Sequence, residues 1–156
     1  MLHLDPVSEN EITKLKKLWY DLAKEMEQYS VLNKIKYSNV DDLPDTDFIN
    51  EFRKEGTEYY FIKETDEIIG FIKIRYGTHS SRTVEKYLRL VELYITENNR
   101  NNGYGSKVIH KLKEKAKSKN CDYVKVTYES DNKDAERFYE RNGFEQKQAT
   151  STYIID

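Results

Sequence analysis

The 156 residues carry 26 Lys and Arg against 28 Asp and Glu, a formal net charge of −2, so no net positive field exists to hold nucleic acid and a histone-like or sliding DNA-binding role is excluded. Cys121 is the single cysteine, which rules out an internal disulfide and any multi-cysteine metal site, and no metal is expected. No run approaches the roughly eighteen apolar residues of a membrane span, and the start shows no basic segment leading into an apolar run, so the chain reads as one soluble, cytoplasmic domain over residues 1–156.

Leu2 to Asp5 is compatible with a short strand. Glu9 to Tyr29 reads as a helix capped by Ser8, because Ile12, Leu15, Leu18, Trp19, Leu22 and Met26 recur at helical spacing. Asn33 to Pro44 is polar and irregular, and Asp45 or Thr46 then caps a shorter helix with Phe48, Ile49 and Phe52 that stops at Gly56. The period next changes to that of strands. Tyr59 to Ile62 is β-rich, Thr65-Asp66-Glu67 supplies a turn, and Ile68 to Tyr76 returns as a second strand. After a loop from Gly77 to Thr83 comes a long strand, Tyr87 to Thr96. Gly103 to Lys119 is a helix with Val108, Ile109, Leu112 and Ala116 on its apolar stripe. Tyr123 to Tyr128 is a strand, Asn132 to Arg141 a helix, and Phe144 to Ile155 a final strand.

The order implies an α/β chain: two helices, a hairpin extended by a third strand, then strand–helix–strand–helix–strand. A helix between two late strands calls for a crossover and a parallel pair in an otherwise antiparallel sheet. Neighbouring strand ends in such a sheet leave room for a ligand crevice.

The segment from Leu93 to Ser106 runs from strand to helix through a loop holding Gly103 and Gly105. A helix N-terminus offers unpaired amides and partial positive charge, and glycines let the backbone approach a phosphate. Arg100 can add a charge-assisted contact and Ser106 a hydroxyl. An ordinary strand–helix turn would also account for the glycine pair. A Walker-type loop is disfavoured because no Gly-Lys-Ser/Thr follows, and a dinucleotide fold because the loop comes late and lacks a third glycine.

Arg100-x-x-Gly103-x-Gly105, directly after a strand carrying Leu93 and Ile95, resembles the acyl-CoA pyrophosphate loop of the GNAT N-acyltransferases. Asn132-x-x-Ala135-x-x-Phe138-Tyr139-Glu140-Arg141-Asn142-Gly143-Phe144 resembles that family's second signature. The resemblance extends over nearly the whole chain. It implies a mixed, mostly antiparallel sheet of about six to seven strands flanked by helices, with a splayed parallel pair. It also implies an acetyl-CoA-dependent N-acetyltransferase in which the amides of Asn101, Asn102, Gly103, Tyr104, Gly105 and Ser106, with Arg100, hold the CoA pyrophosphate. Leu93 and Ile95 would offer main-chain groups to the pantetheine arm and thioester, and Asn132 would bond that arm from the other side. Tyr139 would protonate the leaving thiolate, and Glu92 would serve as general base toward the amine. Glu97 and Asn101 stand where the family often has Pro and Gly; Asn tolerates the left-handed backbone such a loop needs.

Each role has a structural rival: Tyr139 as a core tyrosine, Glu92 as an edge charge, Asn132 as a helix cap. His79 and His110 read as solvated and Cys121 as a small buried hydrophobe. Glu25, Glu27, Asp41, Asp42, Asp45, Asp47, Glu51 and Glu55 make the N-terminal half acidic. They are either ordinary surface acids or a rim that draws a small cationic amine such as a polyamine or aminoglycoside. A protein or peptide amine, or a non-catalytic acyl-CoA sensor, are the alternatives. Neither nucleic acid nor membrane is an expected partner, and a homodimer through the final strand is left open.

Overall fold

Apolar residues recur at a period of 3.6 in the helices and crowd the central strands, and those patterns fix the layers. The computed structural model describes residues 1–156. Strand β1 (Leu2–Pro6) is followed by helices α1 (Ile12–Met26) and α2 (Asp45–Phe52). Then come strands β2 (Thr57–Glu64), β3 (Glu67–Thr78) and β4 (Lys86–Ile95), helix α3 (Tyr104–Ser118), strand β5 (Tyr123–Val126) and helix α4 (Lys133–Arg141). The strands form one sheet in sequence order, antiparallel from β1 to β4, with β5 joined to β4 in parallel through the α3 crossover.

Ser8 opens the first helical segment with a capping box: its amide donates to the Glu11 carboxylate at 3.1 Å, and its hydroxyl bonds the same oxygen at 2.9 Å. The first turn, Glu9–Glu11, is 3₁₀ before α1 proper begins. The sheet is buried on both faces. Ile62, Ile72, Ile74, Leu88 and Leu90 meet Val108, Ile109 and Leu112 of α3 on one side. Phe61, Phe71 and Tyr94 meet Leu15 of α1 and Phe48 of α2 on the other. Tyr59 to Ile62 therefore forms a continuous apolar run, as a two-sided strand requires.

The expected final strand is absent, and the sheet has five strands rather than six or seven. Phe144 still reaches the core, its ring 5.5 Å from that of Tyr139. Beyond it, Glu145 to Thr152 offers no alternating apolar face, and Glu145 pairs with Lys147 in solvent at 2.8 Å. Tyr153, Ile154 and Ile155 follow this polar stretch and stay exposed.

One charged clip ties α2 to the sheet. Lys73, only 8% exposed, donates to Glu51 at 2.8 Å, and Arg75 donates to the same oxygen at 2.7 Å. Lys73 first, and then Lys54, hold the Glu51 carboxyl down at about 2 against the opposing effect of burial. The depressed value stabilises the fold above the ordinary carboxylate value of 4.5, and that contribution fades as pH falls toward 2. Glu51→Gln should cost about 1–2 kcal/mol at neutral pH, less than a fully buried pair because Glu51 is partly exposed. Chemical denaturation should show the gap between variant and parent closing as the buffer is taken below 4.5.

Candidate active site

Strands β4 and β5 pair only from Tyr87–Leu90 to Tyr123–Val126. Just beyond Leu90 the β3–β4 register slips, with Ile74 opposite Leu90 and Lys73 opposite Glu92, so Val91 is an extra residue in β4. Such a bulge bends its strand and strengthens its twist. It also reverses the alternation of side chains: Leu88 and Leu90 face α3, and after the bulge Leu93 and Ile95 do, while Tyr94 turns to the α1 side. Past this point β4 parts from β5, and a cleft of about 880 Å³ opens between α1, β4, the start of α3, the end of β5 and α4.

The main chain at the parting is free on its open side. Thr96 donates its amide to the Ile69 carbonyl at 2.8 Å, so by alternation Tyr94 spends its main-chain groups on β3, and Leu93 and Ile95 turn theirs toward the cleft. The Ile95 carbonyl accepts from Arg100 Nε at 2.8 Å, which leaves its amide to the cleft.

The loop that follows presents a row of donors. Asn101 and Gly103 take left-handed backbone, at φ 63° and 77°, and Asn102 braces the turn by donating its side-chain amide to the Asn99 and Arg100 carbonyls. None of the main-chain amides from Asn101 through Ser106 donates to another group of the chain; the first to do so is Lys107, to the Gly103 carbonyl at 3.2 Å. With the helix dipole behind them, these unpaired amides have the donors and the partial positive charge that an anion site requires. Gly105 is required for a different reason: a Cβ there would lie 2.9 Å from the Phe138 ring, so its absence lets α3 and α4 close the cleft wall. Ser106 Oγ accepts from Asn142 at 3.3 Å.

Arg100 lines the cleft, but its guanidinium is engaged. It binds both Glu25 oxygens, at 2.8 and 3.0 Å, and lies over the Tyr94 ring, tying α1 to the donor loop. Glu92 is no edge charge. Its Oε2 accepts from the Trp19 indole at 2.8 Å, and its Oε1 is buried without a partner. Burial raises its pKa, against the pull of Lys73 and the Trp19 bond. Tyr139 is 7% exposed among Tyr128, Phe138 and Phe144, and this burial holds its phenol protonated well above the usual tyrosine range. It is both a core residue and part of the cleft wall. Asn132 caps α4 through Oδ1, which accepts from the Ala135 amide at 3.1 Å, and its Nδ2 remains for the cleft.

The expected site residues, Glu92, Leu93, Ile95, Arg100, Asn101, Gly103 to Ser106, Asn132 and Tyr139, thus line one cleft. Asn102 shapes the turn between two of them. His79 and His110 are exposed, the latter paired with Glu114 at 2.6 Å, and neither they nor Cys121 reach the cleft. Trp19, read from its spacing as a core residue, is the participant the sequence did not reveal; its partner lies 73 positions away, and no local pattern announces the bond. The free amides, the small Gly105 and the open main chain of β4 suit the diphosphate and amide-rich arm of an acyl-CoA.

The family model for the acetyltransferase (GNAT) family matches residues 19–144. An uncharacterized N-acetyltransferase, YhfO, of Bacillus subtilis is 25% identical over 122 residues, which span 77% of this chain and 81% of that protein. A structure described as a transcriptional regulator from Bacillus halodurans superposes with a TM-score of 0.78 at 18% identity, covering 99% of this chain and 100% of the other. An aminoglycoside acetyltransferase from an uncultured soil sample, in complex with sisomicin, gives a TM-score of 0.75 at 14% identity, over 99% and 97% of the two chains.

Gly105→Ala should overpack the α3–α4 contact by about 1–3 kcal/mol and lower the melting temperature by several degrees. Adding Phe138→Leu, which removes the opposing ring, should restore most of that loss in a thermal melt.

Proposed function

The chain belongs to the GNAT acetyltransferase family, and from that premise we propose that it transfers the acetyl group of acetyl-CoA to a primary amine. The amine attacks the thioester carbonyl directly, with both substrates held in one ternary complex. The observation that carries this reading is the row of unpartnered amides from Asn101 through Ser106, set beside the parting of β4 from β5. They receive the CoA diphosphate. The main-chain groups of Leu93 and the Ile95 amide take the pantetheine arm and the thioester carbonyl, where one fixed donor is worth about 2.7–4 kcal/mol of barrier. Asn132 Nδ2 bonds the arm from the α4 side, and Arg100 acts by holding the donor loop to α1.

Two protons must move. A free alkyl ammonium has a pKa of about 10.4, so it must lose a proton before it attacks. Glu92 accepts that proton at Oε1, directly or through one water. A carboxylate whose pKa is raised by burial is better matched to this task than a solvated one. As the C–S bond breaks, Tyr139, kept protonated by burial, donates its hydroxyl hydrogen to the leaving sulfur, and the second proton shed by the acylated nitrogen replaces it. A non-catalytic acyl-CoA sensor would need neither group.

The acids that favoured a small polycation as acceptor lie mostly elsewhere: among those between Glu25 and Glu55, only Glu25 lines the cleft. No helix is long and apolar enough to cross a membrane.

Acetyl-CoA-dependent release of free thiol, followed against a panel of primary amines, tests the reading. Tyr139→Phe should lower kcat about a hundredfold with the acetyl-CoA KM nearly unchanged. The parent rate should climb with pH as Glu92 ionises, on a limb centred above the ordinary 4.5 because burial raises it. Glu92→Gln should abolish that limb. Tight CoA binding with no turnover on any amine would favour the sensor instead.

A further inference from the structure

The acceptor side of the cleft is apolar. Trp19, Leu22 and Met26 form one stripe of α1, and Tyr29 and Ile35 continue it along the segment that follows. All five are half-buried rather than sealed in the core. The segment is fixed in place: Asn33 donates to the Met26 carbonyl at 3.0 Å and to Glu129 beyond β5 at 3.1 Å. Trp19 sits edge-on against Phe48, with ring centroids 5.6 Å apart, so the ring that bonds Glu92 is also a rigid piece of this wall.

The charges in the cleft leave room for one ammonium. Three carboxylates line it: Glu25, Glu92 and Asp134. Glu25 is taken by Arg100, and Asp134 is paired with Arg137. Arg141 adds a further cation to the lining. Glu92 alone keeps an oxygen, Oε1, without a partner. The remaining N-terminal acids are committed or distant. Asp45 pairs with Lys16, Glu51 holds Lys73 and Arg75, and Asp21 and Glu97 lie beside Lys24 in an adjoining recess, behind Glu25 and Tyr94, and do not line the cleft. The carboxylates nearest the wall from outside, Glu27 and Glu129, are turned to Lys24 and the Ile35 amide and to Asn33, and neither lines the cleft; within it, a second or third ammonium would be stripped of water against apolar side chains or an arginine. An alkyl or aromatic body would instead cover the exposed stripe.

We infer that the acceptor is a monoamine carried on an apolar body, an alkylamine or arylalkylamine, and not a polycation. The inference rests on the reading of Glu92 as the group that receives the amine, and it narrows the acceptor to the chemistry its surroundings accept. The primary ammonium meets Glu92 Oε1, the body lies along Trp19, Leu22 and Met26, and the far end emerges past Tyr29 and Ile35.

The test compares hexylamine and phenethylamine with spermidine and kanamycin, by thiol release from acetyl-CoA and by the mass gain of one acetyl group. Wild-type kcat/KM should be at least a hundredfold higher for the two monoamines. Met26→Glu, which puts a second carboxylate in the wall, should shift the ratio toward spermidine by tenfold or more and leave the acetyl-CoA KM unchanged. Acetylation of spermidine or kanamycin as efficiently as the monoamines overturns the inference and leaves an acetyltransferase standing. Failure of all four amines in a protein that binds acetyl-CoA overturns the acetyltransferase reading, and the inference with it.

Discussion

The extra residue at Val91 is the constraint on which the site depends. A regular β4 would continue beside β5 and spend its main-chain groups on a ladder. With the bulge, β4 departs after four paired positions and leaves Leu93 and Ile95 facing open space. The same slip moves Glu92 and Tyr94 to the α1 side of the sheet, so a residue that would have met α3 meets Trp19 instead. The departing strand also delivers the chain to the loop whose amides open α3.

Polar groups left without partners mark where a fold gives up stability for function. Two kinds are found here. The amides from Asn101 through Ser106 stand at the mouth of a cleft, where water can serve them. Glu92 Oε1 is buried and has no partner within the chain. The Trp19 bond and the nearby Lys73 offset part of that cost by favouring the charged form. Lys73 is itself bonded to Glu51, so the clip that fixes α2 to the sheet also contributes to the field around Glu92. Stability and site share one network.

Much of this was legible in the sequence because local rules and global packing agree. The strand runs, the stripes of α1 and α3, and the glycine-bearing turn all lie where periodicity put them. The bulge left a trace as well: Leu88 and Leu90 are two apart, whereas Leu90 and Leu93 are three, a break in the period of a strand. The Arg100–Glu25 and Trp19–Glu92 contacts join residues 75 and 73 positions apart, and only tertiary structure brings such pairs together. Arg100 read as a phosphate ligand because its neighbours resemble a phosphate loop; in the fold its guanidinium also bonds Glu25 of α1. The last strand failed for a plainer reason. Tyr153, Ile154 and Ile155 look β-prone by composition, but Glu145 to Thr152 before them hold one apolar residue, Ala149, and give a strand no face to bury.

The most direct test of the account is to watch the amides themselves. In ¹H–¹⁵N correlation spectra, CoA should move the resonances of Asn101 through Ser106 more than any others outside β4, and dephospho-CoA, which keeps the diphosphate, should reproduce the effect. Pantetheine, which lacks it, should leave those six in place while still shifting Leu93 and Ile95. If CoA binds and the six amides do not respond, or respond equally to pantetheine, the donor loop is not an anion site and the account is wrong.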